Sequence, residues 1–138
     1  MLKFVPVMVK YEFTLLKYMP LLKSDVAFNI GVLLVRREAN KIAFAKARFR
    51  RSWEFIRRVA PDADIEYLTA FAREAEAGIE DKTQRDELIH RMFDSFSNNI
   101  QLSETRAVEF ENDPELELSN LVNRYCTESI NDGPPATD

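Results

Sequence analysis

Eight consecutive residues constrain this chain most. Phe28-Asn29-Ile30-Gly31-Val32-Leu33-Leu34-Val35 is apolar at even and odd positions and rich in β-branched residues. A strand with one wet face alternates, so a run apolar on both faces belongs in the interior of a sheet. It falls far short of the ~20 apolar residues that span a bilayer, and no membrane association is expected.

The flanking segments supply neighbours for that strand. In Tyr11-Glu12-Phe13-Thr14-Leu15 the apolar residues fall on odd positions, the period of a half-buried strand. Lys41-Ile42-Ala43-Phe44-Ala45 alternates large and small. Short connections join the three, Met19–Asp25 with Pro20 inside and Arg36–Asn40, and short connections favour antiparallel neighbours. The expectation is an antiparallel meander of residues 11–18, 28–36 and 41–49, with 28–36 central.

From Asp64 the period changes. Ile65, Leu68, Ala72, Ala75 and Ile79 form a helical stripe with Asp62 or Asp64 as N-cap, and Gly78 sits where a left-handed helix end is expected. Thr83 is placed to cap a helix that presents Leu88, Ile89, Met92, Phe93 and Phe96. A shorter helix is expected over 52–59, anchored by Trp53 and Phe55. Residues 100–110 contain Val108 and Phe110 and are expected to return as a fourth strand. Asp113-Pro114 predicts a capping carboxylate and a proline at the first helical position, followed by an apolar face of Leu118, Leu121, Val122 and Tyr125. The fold class is therefore α+β, an antiparallel sheet of three to four strands packed with three to four helices. The helices from the middle of the chain are expected to cover one face. One domain over 1–130 and a loose tail over 131–138, with Gly133-Pro134-Pro135, fit the 138 residues.

Charge is uneven. Residues 1–58 hold thirteen Lys or Arg against four Asp or Glu, and residues 59–138 hold six against nineteen. Such asymmetry suits a charged partner, or two halves folded against each other. The densest basic stretch is Lys46, Arg48, Arg50, Arg51, Arg57 and Arg58, interleaved with Phe49, Trp53 and Phe55. Arginine beside exposed aromatics grips phosphates and stacks bases, which makes nucleic acid one candidate ligand. Pairing with the acidic second half is the competing reading. Asn29 and Gly31 interrupt the most apolar strand. They are read either as a contact for a ligand or as a bulge whose Asn ties down a neighbouring segment, with the structural role favoured.

Signatures of catalysis are few. The single histidine, His90, lies off its helix's apolar face between Asp86 and Asp94 and reads as a solvated ion pair. Cys126 follows Tyr125 with no distinctive motif and reads as a structural thiol. It is the only cysteine, so neither an intrachain disulfide nor a Cys-rich zinc site is available. Glu109, Glu111, Asp113, Glu115 and Glu117 follow at odd positions without a catalytic spacing, the last two suiting a helix N-terminus. Phosphate loop, dinucleotide fingerprint, nucleophile elbow and HExxH are all missing. No cofactor and no metal are expected. The function expected from the residues is a non-enzymatic accessory or protein–protein interaction module. A nucleic-acid binder, or a metal-dependent hydrolase or nuclease using scattered carboxylates, is the alternative. The start, Met1–Pro6, lacks a signal peptide's long apolar core, so a cytoplasmic location is expected.

Two blocks carry a family resemblance. Tyr11-x-Phe13 through Lys17-Tyr18-Met19-Pro20 and Phe28–Leu34 form the first. Ile100-Gln101-Leu102-Ser103-x-Thr105-Arg106, Asp113-Pro114 and a closing helix with Leu121 form the second. Together they resemble the bacterial domain of unknown function 3037 family, over roughly residues 11–125. Lys17 stands where that family usually has Arg, and Val26 beside Asp25 where it has an acid. The resemblance implies a toxin–antitoxin association with a HipA-like kinase as partner; self-association is the other partner expected.

Overall fold

A computed structural model describes residues 8–20, 26–94, 99–111 and 113–126. The elements run β1 (Val9–Tyr18), β2 (Phe28–Glu38), β3 (Lys41–Phe49), α1 (Glu54–Val59), α2 (Ile65–Glu80), α3 (Arg85–Asp94), β4 (Ile100–Leu102), β5 (Arg106–Phe110) and α4 (Pro114–Tyr125). All strand pairs are antiparallel, the sheet order is β3-β2-β1-β4, and β5 also pairs with β1. The fold is α+β, with the 28–38 strand inside the sheet.

Both faces of the sheet are covered. Toward α1, α2 and α3, one core gathers Leu16, Tyr18, Phe28, Ile30, Leu33 and Val35 with Ile56, Leu68, Ile79, Ile89 and Met92. Toward α4, a second core joins Tyr11, Phe13, Leu15, Val32 and Leu34 to Leu118, Leu121 and Val122. The helices from the middle of the chain cover one face, as expected. The fourth helix takes the other, which is why β2 has to be apolar on both sides.

A bulge in β2 reassigns its faces. Leu16 pairs with Gly31 but Lys17 pairs with Asn29, which leaves Ile30 as the extra residue. The insertion reverses the alternation. Phe28 and Ile30 therefore join the same core as Leu33 and Val35, and Asn29 swings to the α4 side. A second irregularity lies in β3, where Arg36 pairs with Phe44 and Arg37 with Ile42.

Several local expectations change. The β2–β3 connection is only Ala39-Asn40, with φ of 52° and 67°, since the strands continue through Glu38 and from Lys41. Positive φ at both central residues is the tight hairpin turn whose twist matches the strands. Gly78 is inside α2, and no glycine among the described residues has positive φ. Its value is space, because a Cβ there would lie 2.6 Å from Leu88 Cδ2. Thr83 caps no helix; its N–H and hydroxyl donate to Asp81 Oδ1 in the turn before α3. Asp64 does cap α2, accepting from the Tyr67 N–H, whereas the Asp113 side chain makes no capping bond to α4. The expected fourth strand divides into β4 and β5. Between them Ser103 keeps β1 paired, donating its N–H to the Leu15 carbonyl and accepting the Leu15 N–H on Oγ, while Thr105 bonds Thr14 hydroxyl to hydroxyl. The Phe93 side chain, Phe96 and the 131–138 tail lie outside what the structure describes.

The outer side of β1 is paired, and β3 is the end strand of the sheet. β4 and β5 cover β1, and side chains of α2 and α3 bond β3: Glu76 accepts the Phe49 N–H at 3.0 Å and Arg85 donates to the Ile42 carbonyl at 2.9 Å. Ala45 and Ala47 are buried.

Candidate functional site

The basic stretch divides by strand geometry. Lys46 and Arg48, two apart on β3, both face α4. Lys46 reaches Glu115 at 2.6 Å and Glu80 at 3.2 Å, and Arg48 reaches Glu115 at 3.2 Å and the Ser119 hydroxyl at 3.0 Å. Glu115 is held below its ordinary range chiefly by the Lys46 hydrogen bond, and Lys46 is pushed above its own by Glu115 and then Glu80. This cluster ties β3 to the ends of α2 and α4, so the opposed charges of the two halves meet here inside one molecule.

Arg50 goes inward. Its N–H donates to the Ile30 carbonyl, its guanidinium donates to the carbonyls of Asn29 and Ser52, and it lies 6.0 Å from the Phe55 ring centroid. Arg57 pairs with Glu54 on its own helix. Arg51 and Arg58 are exposed. The six cations therefore do not make one continuous strip.

Asn29, placed on this side by the bulge, joins three elements. Its amide donates to the Tyr125 carbonyl at the end of α4, its Oδ1 accepts from Lys17 Nζ, and its own carbonyl accepts from Arg50. The side chain satisfies a carbonyl that a helix terminus leaves orphaned. Gly31 permits the bulge to close on β3, since a Cβ would meet the Phe49 ring at 2.6 Å and the Arg48 carbonyl at 3.0 Å.

A cleft of about 210 Å³ opens beside this junction, lined by Arg48, Phe49, Arg50, Arg51, Ser52, Ser119, Val122, Asn123 and Cys126. The structure thus brings Arg48, Arg50 and Arg51 together, with Asn29 and Gly31 behind them, and leaves Arg57 and Arg58 apart on α1. The Arg48 guanidinium is engaged by Glu115 and Ser119, and that of Arg50 by two backbone carbonyls. Arg51 is the exposed cation of this lining, beside Ser52, Ser119 and Asn123, and no lining residue is acidic. Such a set orients an oxyanion by charge-assisted hydrogen bonds and supplies no general base. The volume is below the roughly 300–1,000 Å³ of drug-sized ligand sites. It suits one acidic group rather than a whole cofactor.

The sequence reading missed Ser119 and Asn123. Ser119, Asn123 and Cys126 follow at i, i+4 and i+7, a stripe beside the apolar face of α4, and that spacing was the available signal. Ser52 and the Glu80–Lys46 contact had none. A wider groove of about 370 Å³ lies between α2 and α3, lined by Phe71, Ala75, Leu88 and Met92 together with Glu74, Glu87 and Arg91. His90 is exposed off that helix's buried face. Among the described residues, no three His, Cys, Asp or Glu side chains gather as metal ligands would, and no helix is long and apolar enough to cross a membrane.

One family matches, the one described as Protein of unknown function (DUF3037), over residues 2–126. Neither curated proteins nor solved structures give a match.

Proposed function

The chain belongs to the DUF3037 family of proteins of unknown function, and from that premise we propose that it is a non-enzymatic interaction module that holds an acidic segment of a partner protein. The observation that carries this is the cleft between β3 and α4, where Arg48, Arg50 and Arg51 stand with Ser52, Ser119 and Asn123 and no lining residue is acidic. Guanidinium forks recognise carboxylates two bonds at a time, and a rim of like charge steers an oppositely charged partner on approach. Edge-strand pairing plays no part in this reading, which rests on side chains of β3 and α4 and the segment after β3.

A decaglutamate peptide is the simplest probe. Titrated at low salt and followed by calorimetry, it is expected to bind the wild-type protein, to bind about tenfold more weakly to Arg51→Glu, and to lose affinity as salt screens the site. An affinity unchanged by Arg51→Glu overturns the assignment. Copurification from the host, read by mass spectrometry, then identifies the partner; a HipA-like kinase is the first candidate.

Exposed Arg51, Arg57 and Arg58 near α1 favour a second reading, weak binding of single-stranded nucleic acid. An oligonucleotide in the same assay decides: affinity that falls linearly with log salt, and falls again in Arg57→Ala/Arg58→Ala, supports it.

A further inference from the structure

Helix α4 carries its own match for the cleft it helps to build. Asp113, Leu116, Asn120, Asn123 and Arg124 recur at helical spacing on the side away from buried Leu118 and Leu121, and all five are exposed. Leu116 is 53% exposed, one of three large hydrophobic residues so placed among the described residues. Charge along this face is graded. Glu111, Asp113 and Glu117 stand at the N-terminal end, and the Asp113 carboxylate makes no capping bond. At the other end are Arg124 and the cleft, into which Ser119, Asn123 and Cys126 project beside Arg48, Arg50 and Arg51.

We propose that the acidic partner is a second copy of this chain, docked with its α4 antiparallel to the first across a two-fold axis near Asn120. The inference rests on the reading of the cleft given above. A two-fold contact is self-complementary, and a helix acidic at one end and basic at the other complements itself only when antiparallel. In that arrangement Asp113 and Leu116 of each copy lie against Arg124 and Asn123 of the other, and each acidic turn faces an arginine-lined cleft. The helix dipoles also oppose, which favours the pairing. Twelve residues give a helix about 18 Å long. An interface of that length buries less than about 1,000 Å², the range of weak and transient contacts, so association is micromolar and sensitive to salt.

Sedimentation velocity on the full chain tests this with two charge-reversed variants, Arg51→Glu/Arg124→Glu and Asp113→Lys/Glu117→Lys. For the wild type at low salt, the mass is expected to rise with concentration from 16.0 kDa toward twice that value, and to fall back when salt is added. Each variant alone is expected to associate at least about tenfold more weakly. An equimolar mixture of the two, whose charges complement again, is expected to recover association, which shows as well that both variants fold. A wild type that stays monomeric at high concentration and low salt, or a dimer indifferent to both reversals, overturns the proposal. Decaglutamate separates the two levels. If it binds a strictly monomeric protein, the second-copy inference fails and the acidic-partner reading stands; if nothing binds and nothing dimerises, both fail.

Discussion

At the scale of single residues, two glycines do different work. At Gly31 an added methyl meets an aromatic ring at 2.6 Å and a backbone carbonyl at 3.0 Å, and neither can move far between paired strands. At Gly78 it meets only the end of the Leu88 side chain, which can rotate. Gly31→Ala is expected to destabilise by about 1–3 kcal/mol. For Gly78→Ala the clash is offset by a gain of about 1 kcal/mol in helix propensity, leaving stability within about 1 kcal/mol of wild type. Urea melts of the two proteins decide the order. Glu115 gives a pH signature. Its folded-state value is depressed by the Lys46 hydrogen bond, with Arg48 adding, from an ordinary 4.5. The stability it contributes is therefore present above pH 4.5 and lost as pH falls through the depressed value. Lys46 is raised from 10.5, so its share is complete below that pH and lost as pH rises through the higher value. Glu115→Gln should flatten both limbs of the stability profile and lower the plateau by no more than about 1 kcal/mol, since Glu115 is half-exposed and screened by water. An acid limb as steep as wild type would show that other carboxylates govern it.

At the scale of elements, the β2–β3 hairpin closes through Ala39 at φ 52°, a conformation that L-alanine adopts at about 1–2 kcal/mol and asparagine tolerates better. Ala39→Asn is expected to raise the urea midpoint, and Ala39→Val, branched at Cβ, to lower it. The elements were largely legible in the sequence because their periods are strong. The 65–79 stripe and the Phe28–Val35 run each admit one interpretation, and Asp64 caps as its position suggests. What the sequence hid depends on contacts made at a distance. Nothing local says that Ile30 is an extra residue turning Asn29 toward α4, since a bulge is defined by the partner strand's register. Nor does Asp113-Pro114 reveal that the helix it starts covers the opposite face of the sheet. The candidate site was half legible. The arginines were conspicuous, but which ones meet depended on β3 alternation sending Lys46 and Arg48 to α4 and on a backbone turn burying Arg50.

Across the whole molecule, the opposite charges of the two halves are partly spent in holding it together, since Lys46 and Arg48 bind Glu80 and Glu115 from the acidic half. The layers also meet through β1, and that strand has a consequence in time. Its partner on one side, β2, is next in sequence; its bonds on the other side, from Thr14 to Thr105 and from Leu15 to Ser103, join residues 91 and 88 apart. Closing the longer loop is dearer in entropy by about 2 kcal/mol. On the ribosome, at about 5–20 residues per second, β1 would wait roughly 5–20 s for β4 and β5, zipped to β2 along one side and open along the other. Pulse-labelled hydrogen exchange during refolding should show β1–β2 amides protected first and the Leu15 and Ser103 amides last. Simultaneous protection would mean that the last third of the chain is recruited into the nucleus. While it waits, the uncovered side of β1 is a templating strand, and the newly made chain is most exposed to mispairing with its neighbours in that interval.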